Sequence, residues 1–529
     1  MKNLSRWLVE HATSRPPSVF CTFLEGRADQ EITFGDLFER SAGYAAHYRD
    51  SGLRAGDLVL IMLRHSPHLF YAFFGAVLAG ATPSFMPYPT PKQRPELFWR
   101  DHRSLFARIQ PSALVTYKEN ADAAHEYLEN LPPMVTIADD TIVSTRSEDR
   151  TFPGLYAAED DVACLQHSSG TTGLKKGVML SHREIGAQID AYARSLALEA
   201  NDRIASWLPL YHDMGFIATF LMPFVRGLHV AMIDPIEWSA RPRLLFEAIE
   251  RFQSTLCWMP NFAFGHLVNT ARAADAYDLS SIRAFVNCSE PCRPTAFSRF
   301  VERFEKYGVT PDRLQTCYAL AENVFAATQS PVGLPVRSLE GVLSSGRPID
   351  GVEVEICRSD GGVASERERG EIVLRSPFLF TGYQHLPDLT ARRLQNGRYR
   401  TGDIGFIDSG ELFVTGRSDD LLIVNGRNVH AHELEDIANG VPGSLPGRVV
   451  AFQVPNARND GFEVVMLLES DGVDGLAAAV KAAVSQHAAI DLAKVEVVPR
   501  ATLVKTTSGK ISRVENQRRY LELMRGPIS

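Results

Sequence analysis

From the N-terminus to around Phe300, stretches of helical period such as FGDLFERSAGYAAHYRDSG, starting at Phe34, alternate with short apolar runs such as DLVLIML and RIASWLPL. That alternation predicts α/β layers with largely parallel sheets, whose strands are buried on both faces. From Gly351 the pattern changes to hairpin-like pieces. VEVEIC, the turn RSDGG and GEIVLRS come first, and GFID and ELFVTG follow around a Ser-Gly turn. Period-2 alternation broken by such turns predicts a small antiparallel sheet or barrel. Past Asp419 the pattern starts afresh with LLIV, a helix from Ala431, the strands VVAFQV and EVVMLLE, the helix GLAAAVKAAVSQHAA and the strand KVEVV. A segment with its own strands and helices can form a separate lobe. The most apolar early stretch, LFYAFFGAVLAGA from Leu69, is 13 residues long. That is too short for a bilayer span and reads as a buried helix.

Composition adds limits. The 529 residues suggest more than one folding unit, and 45% hydrophobic against 22% charged residues is ordinary for a globular protein. With 63 acidic and 55 basic side chains, the net charge of -8 disfavours nucleic acid as a partner. The N-terminal MKNLSRWLVEHATSRPP scatters charges among its apolar residues and lacks a secretory pattern. Seven cysteines without a CxxC pair suggest neither a disulfide framework nor a zinc site, so reduced thiols in a cytoplasm are expected.

One stretch carries chemistry by itself. Ser168, Ser169, Gly170, Thr171, Thr172 and Gly173, followed by Lys175, Lys176 and Gly177, come directly after an apolar run. Small residues let backbone N–H groups approach an anion, hydroxyls add donors, and Lys176 can neutralise phosphate charge. The spacing is not the GxxxxGK[ST] of common NTPases, and a plain surface turn is the competing reading.

Six further motifs follow: WLPLYHDMG from Trp207, NCSEP from Asn287, YALAE from Tyr318, YRTGD from Tyr399, GRSDDLLIVNGRN from Gly416 and KTTSGKISR from Lys505. In this order the chain resembles the adenylate-forming superfamily of acyl-CoA synthetases, fatty acyl-AMP ligases, luciferases and peptide-synthetase adenylation domains. The resemblance implies a large N-terminal lobe, residues 1–418, of two α/β sheets plus a small β-barrel. It also implies a smaller, mobile α/β C-terminal lobe, residues 419–529, with the hinge at Asp419.

The same resemblance implies roles for matching residues. Ser289, Glu290 and Pro291 would border the adenine and Tyr318 would stack on it, as suits a flat purine. Glu322 would ligate Mg2+ on the ATP phosphates, a hard ion that prefers carboxylate oxygen. Asp403 would accept the ribose hydroxyls, and Arg417 would hold ribose or phosphate nearby. His212 would line the entrance of the acyl pocket. Lys510 would bridge the acid carboxylate and the α-phosphate as charge moves to pyrophosphate. Taken singly, each has a bland alternative: a core tyrosine, an exposed glutamate, a structural turn, a packed histidine, a solvated lysine.

The expected activity is activation of a carboxylic acid by ATP to acyl-AMP, then transfer to a phosphopantetheine thiol. Ala321 and Lys175 replace the family's usual Thr and Pro. The alanine, together with PLYHDMG and DLLIVNGRN, looks closest to the fatty acyl-AMP ligase branch, although no extra block separates Glu322 from Gly346 where that branch tends to carry one. That branch implies a separate acyl carrier protein as acceptor. Six basic residues from Lys505 to Arg525 against Glu515 and Glu522 would give such an acidic partner a basic rim. An acyl-CoA synthetase using free CoA, and an amino-acid-activating enzyme with Asp213 facing an α-amine, are the alternatives. A luciferase-like oxidation shares every motif, whereas a degenerate nucleotide binder would have lost Lys510, Glu322 or Asp403. The apolar stretches around Tyr211 to Phe216, Met259 to His266 and Cys288 favour an aliphatic or aryl acid.

Overall fold

Buried β-branched and aromatic runs become the inner strands of the largest layer. In the computed structural model, Val19–Leu24, His229–Ile233, Arg203–Ser206, Leu256–Met259, Ala284–Cys288 and Leu314–Ala319 lie side by side and all parallel. Antiparallel Gln30–Thr33 closes one edge, and Ala326–Gln329 with Arg347–Pro348 the other, making nine strands. The structure describes residues 2–24, 29–89, 95–128, 131–144, 151–168, 176–272, 275–288, 292–424, 427–445, 447–455, 462–488, 490–505 and 511–525.

A second sheet is wholly parallel, in the order Thr82–Phe85, Leu58–Ile61, Ala113–Thr116, Met134–Ile137. Between the sheets the stretch from Leu69 is the buried helix Pro67–Leu78, packed on the helix Phe34–Asp50. The latter starts at a capping box in which Thr33 and Asp36 satisfy each other's backbone N–H groups. Phe20, Phe70, Phe73, Phe74, Phe220 and Phe224 interlock beside it.

The hairpin pattern after Gly351 forms a five-stranded antiparallel sheet containing Glu353–Cys357, Gly370–Arg375, Arg398–Asp408 and Glu411–Arg417. The RSDGG turn closes locally, with Arg358 N–H donating to the Gly362 carbonyl at 2.8 Å and Cys357 bridged to Val363, and the return strand Gly370–Arg375 follows further along the chain. A three-stranded sheet, Val162–Ser168, Lys176–Ser181 and the short Gly382–Tyr383, stands next to it.

Beyond Leu421 the elements follow the pattern. Helices Ala431–Asn439, Leu476–Ala488 and Arg513–Arg525 cover the sheet Val449–Pro455, Phe462–Glu469, Lys494–Val498, and these elements fill two hydrophobic clusters of their own. Among the described residues, no helix is long and apolar enough to cross a membrane.

Candidate active site

Parallel strands deliver their carboxyl ends to one edge, which is where α/β sheets bind ligands. Ala284–Cys288 and Leu314–Ala319 are direct parallel neighbours, with Cys288 opposite Cys317, so both strands end on the same side. Tyr318 sits at this edge, 8% exposed, and its hydroxyl donates to Asp403 Oδ2 at 2.5 Å.

Asp403 arrives from the antiparallel sheet. Ser409 and Gly410, at φ 54 and 78, make the two-residue turn that joins Arg398–Asp408 to Glu411–Arg417. Positive φ at both positions matches the twist of a tight hairpin and fixes its register. With one bulge beyond Ile404, that register sets Asp403 opposite Arg417, whose Nε donates to Asp403 Oδ1 at 2.9 Å. Asp403 also donates its own N–H to Thr401 Oγ1 at 2.9 Å. Burial pushes the Tyr318 phenol well above its ordinary pKa, and the Asp403 charge adds to the effect. Burial works against the Arg417 charge, but Asp403 outweighs it, so the guanidinium is held more firmly protonated than usual. These three sequence-predicted residues form one hydrogen-bonded unit.

Glu322 lies in the short 3-10 turn Ala321–Asn323. The turn ends at Val324, φ 61 and ψ -54, where Phe325 N–H donates to Asn323 C=O at 2.6 Å. This is a γ-turn of the strained sign, at a β-branched residue that disfavours positive φ. The Glu322 carbonyl accepts Phe380 N–H at 2.9 Å, and its Oε1 accepts the Tyr383 hydroxyl at 2.6 Å. Tyr383 and Tyr399 hydroxyls lie 3.1 Å apart. Lys176 Nζ sits 5.3 Å from the Tyr383 ring centroid, so the predicted phosphate-neutralising lysine and the predicted metal carboxylate flank one tyrosine. Tyr383 was given no role from the sequence, and Tyr399 was quoted only as part of YRTGD. The motif offered a signal for the second and none for the first.

Among the described residues Glu322 has no ion-pair partner, and no cluster of three or more His, Cys, Asp or Glu could cage a metal. A single half-buried carboxylate of this kind fits Mg2+, which keeps its waters and takes most remaining ligands from phosphate oxygens.

His212 is half-buried just ahead of a π-helical turn, Met214–Leu221, a form frequent at functional sites. Asp213 caps that turn by accepting Met214 N–H at 2.9 Å. A Cβ at Gly215 would come within 2.3 Å of the Pro209 carbonyl oxygen, so only glycine permits this approach. The preceding Tyr211 carbonyl accepts from Gln166 Nε2 at 2.9 Å. Gln166 lies on the strand that runs to Ser168, so the His212 segment is tied to the start of the Ser/Thr/Gly stretch.

Ser169, Gly170, Thr171, Thr172, Ser289, Glu290, Pro291 and Lys510 lie outside the described residues, as do the side chains of Ser168 and Asp419. In the basic C-terminal stretch several cations are already paired. Arg513 pairs with Asp420 and Glu435, Arg518 with Glu515 and Glu522, and Arg519 with Glu515, so much of the expected rim is neutralised locally.

A mixed α/β frame brings Tyr318, Asp403, Arg417, Glu322 and Lys176 together. The chain belongs to the AMP-binding enzyme family, whose model matches residues 8–384. It is 28% identical over 533 residues to a candidate acyl-CoA synthetase of Caulobacter vibrioides, covering 94% of this chain and 92% of that one. Its fold superposes on fatty acyl-adenylate ligases studied from E. coli and L. pneumophila, with TM-score 0.89, 24% identity and 99% of both chains covered. It also superposes on McyG A-PCP complexed with phenylalanyl-adenylate, with TM-score 0.90, 21% identity, and 99% of this chain and 83% of that one covered. The chain is therefore an AMP-binding enzyme with the fold of the fatty acyl-adenylate ligases.

Proposed function

We propose that the chain activates an apolar carboxylic acid, fatty or aryl, and hands the acyl group to the phosphopantetheine thiol of a separate acyl carrier protein in the cytoplasm. The observation that carries the nucleotide half is the Tyr318–Asp403–Arg417 unit facing the Glu322–Tyr383–Lys176 group. The likeness to fatty acyl-adenylate ligases over nearly the whole chain supports the acyl-AMP branch and its carrier acceptor. The Caulobacter relative's description favours a second reading, free CoA as acceptor.

In the first half-reaction a carboxylate oxygen of the acid attacks the α-phosphorus of ATP, the new O–P bond forming as the bond to pyrophosphate breaks. Tyr318 offers its ring to adenine, Asp403 accepts ribose hydroxyls, and Lys176 with Arg417 balances phosphate charge. Bound through Glu322, Mg2+ would neutralise the charge that gathers on the leaving pyrophosphate. Residues 1–418 serve as the nucleotide lobe and residues 419–529 as a lobe turning about Asp419, bringing Lys510 in for this step alone. In the second half-reaction the acceptor thiolate attacks the acyl carbonyl and AMP leaves. His212 lines the approach to that carbonyl without transferring a proton.

Lys510→Ala should lower acyl-AMP formation by about 10²- to 10³-fold, as for loss of a preorganised charge at a developing anion. Thioester formation from supplied acyl-AMP should stay near wild type. Equal loss in both half-reactions contradicts the two-position lobe. The acceptor is tested by offering the preferred acid, found by pyrophosphate release, with ATP and either CoA or holo carrier proteins. Efficient CoA acylation with no carrier loading assigns the second reading.

A further inference from the structure

Tyr383 touches two opposite charges with two different parts of one ring. Its hydroxyl donates to Glu322 Oε1 at 2.6 Å, while its face lies 5.3 Å from Lys176 Nζ. A phenol edge satisfies an anion and a π face attracts a cation, so the two contacts do not compete.

The ring is built to stay there. Tyr383 is 2% exposed, and Phe380 packs edge-on at 4.7 Å. Its backbone N–H donates to Thr390 Oγ1 at 2.9 Å, and the short strand Gly382–Tyr383 is sewn to the lysine's own strand through Gly382 opposite Met179 and Tyr383 opposite Val178. Thr381 N–H to Met179 C=O and Gln384 N–H to Gly177 C=O, at 3.1 and 2.8 Å, extend the seam on both sides.

We propose that Tyr383 is a positioning residue that sets Glu322 and Lys176 in register, so the metal-binding and the lysine-bound ends of the triphosphate are held by one side chain. This rests on the reading of Glu322 as the Mg2+ ligand. Partners that orient a metal's carboxylate typically change metal affinity or activity by about 10- to 100-fold when removed.

The experiment is a Mg2+ titration of pyrophosphate release at saturating acid. Tyr383→Phe keeps the ring face and removes the hydroxyl, so the half-saturating Mg2+ concentration should rise about tenfold with KM for ATP at saturating Mg2+ little changed. Tyr383→Leu removes both contacts and should raise KM for ATP as well. In a Glu322→Gln background, Tyr383→Phe should add no further shift in the Mg2+ curve. A curve unmoved by Tyr383→Phe, or moved equally with and without Glu322, overturns the proposal. Should Tyr383→Phe fail to fold, Tyr399→Phe carries the test: loss of the hydroxyl 3.1 Å from that of Tyr383 should shift the curve the same way by about two- to threefold, and no shift overturns it. Glu322→Gln with an unchanged Mg2+ curve removes the underlying assignment instead, a result separate from the others.

Discussion

Two carboxylates belong to the proposed nucleotide site, and they are held differently. Asp403 sits in a regular hairpin with both oxygens engaged, one by the Arg417 guanidinium and one by the Tyr318 hydroxyl. Glu322 sits in a strained turn, and among the described residues its side-chain partners are phenols without a fixed cation. A carboxylate that already has a guanidinium is complete in the apoprotein. One held only by hydroxyls keeps its charge available for a cation that arrives with substrate. On the proposed reading, the ribose side is thus prebuilt and the phosphate side is finished on binding.

The contrast predicts different failures. Glu322→Gln should have the larger effect, a fall in turnover of about 10²-fold or more with a steeper Mg2+ requirement and an unchanged circular dichroism spectrum. Equal Mg2+ curves for variant and wild type would break the contrast at its stronger end. Asp403→Asn should raise KM for ATP by about 10- to 100-fold, the loss of charge-assisted hydrogen bonds, without moving the Mg2+ midpoint. It should also erase most discrimination between ATP and 2′,3′-dideoxy-ATP, which steady-state kinetics with the two nucleotides measures. Tyr318→Phe is the mildest case. It keeps the ring for adenine and loses one bond to Asp403, so a change of about three- to tenfold in KM for ATP is expected. A larger fall in turnover than in affinity would mean that the phenol takes part in the chemistry.

Legibility in the sequence followed the distance over which each feature is specified. The Asp403–Arg417 pair is local: the Ser409-Gly410 turn announces a hairpin, and hairpin register does the rest. Tyr318 and Glu322 share one short motif. Tyr383 was not legible because its contacts come from pairing Gly382–Tyr383 with Lys176–Ser181, a two-residue strand with no periodicity to read, joined to a partner far away in sequence. The partners of Arg513 are hidden from the sequence for a similar reason. Counting finds a cation, while folding commits it to Asp420 and Glu435. The π-helical turn after His212 also escapes, since its apolar residues fit an ordinary helical period.

All seven cysteines are buried, and none forms a disulfide. Burial pushes the thiols of Cys21, Cys164, Cys257 and Cys317 up, away from the thiolate form that acts as nucleophile. Acyl-adenylates are electrophiles that thiols capture, and Cys317 immediately precedes Tyr318, the residue proposed to meet adenine. Keeping these four thiols protonated and sealed in the interior gives this chain chemoselectivity against itself. On the proposed reading, the activated acyl group is left for a thiol that comes from outside.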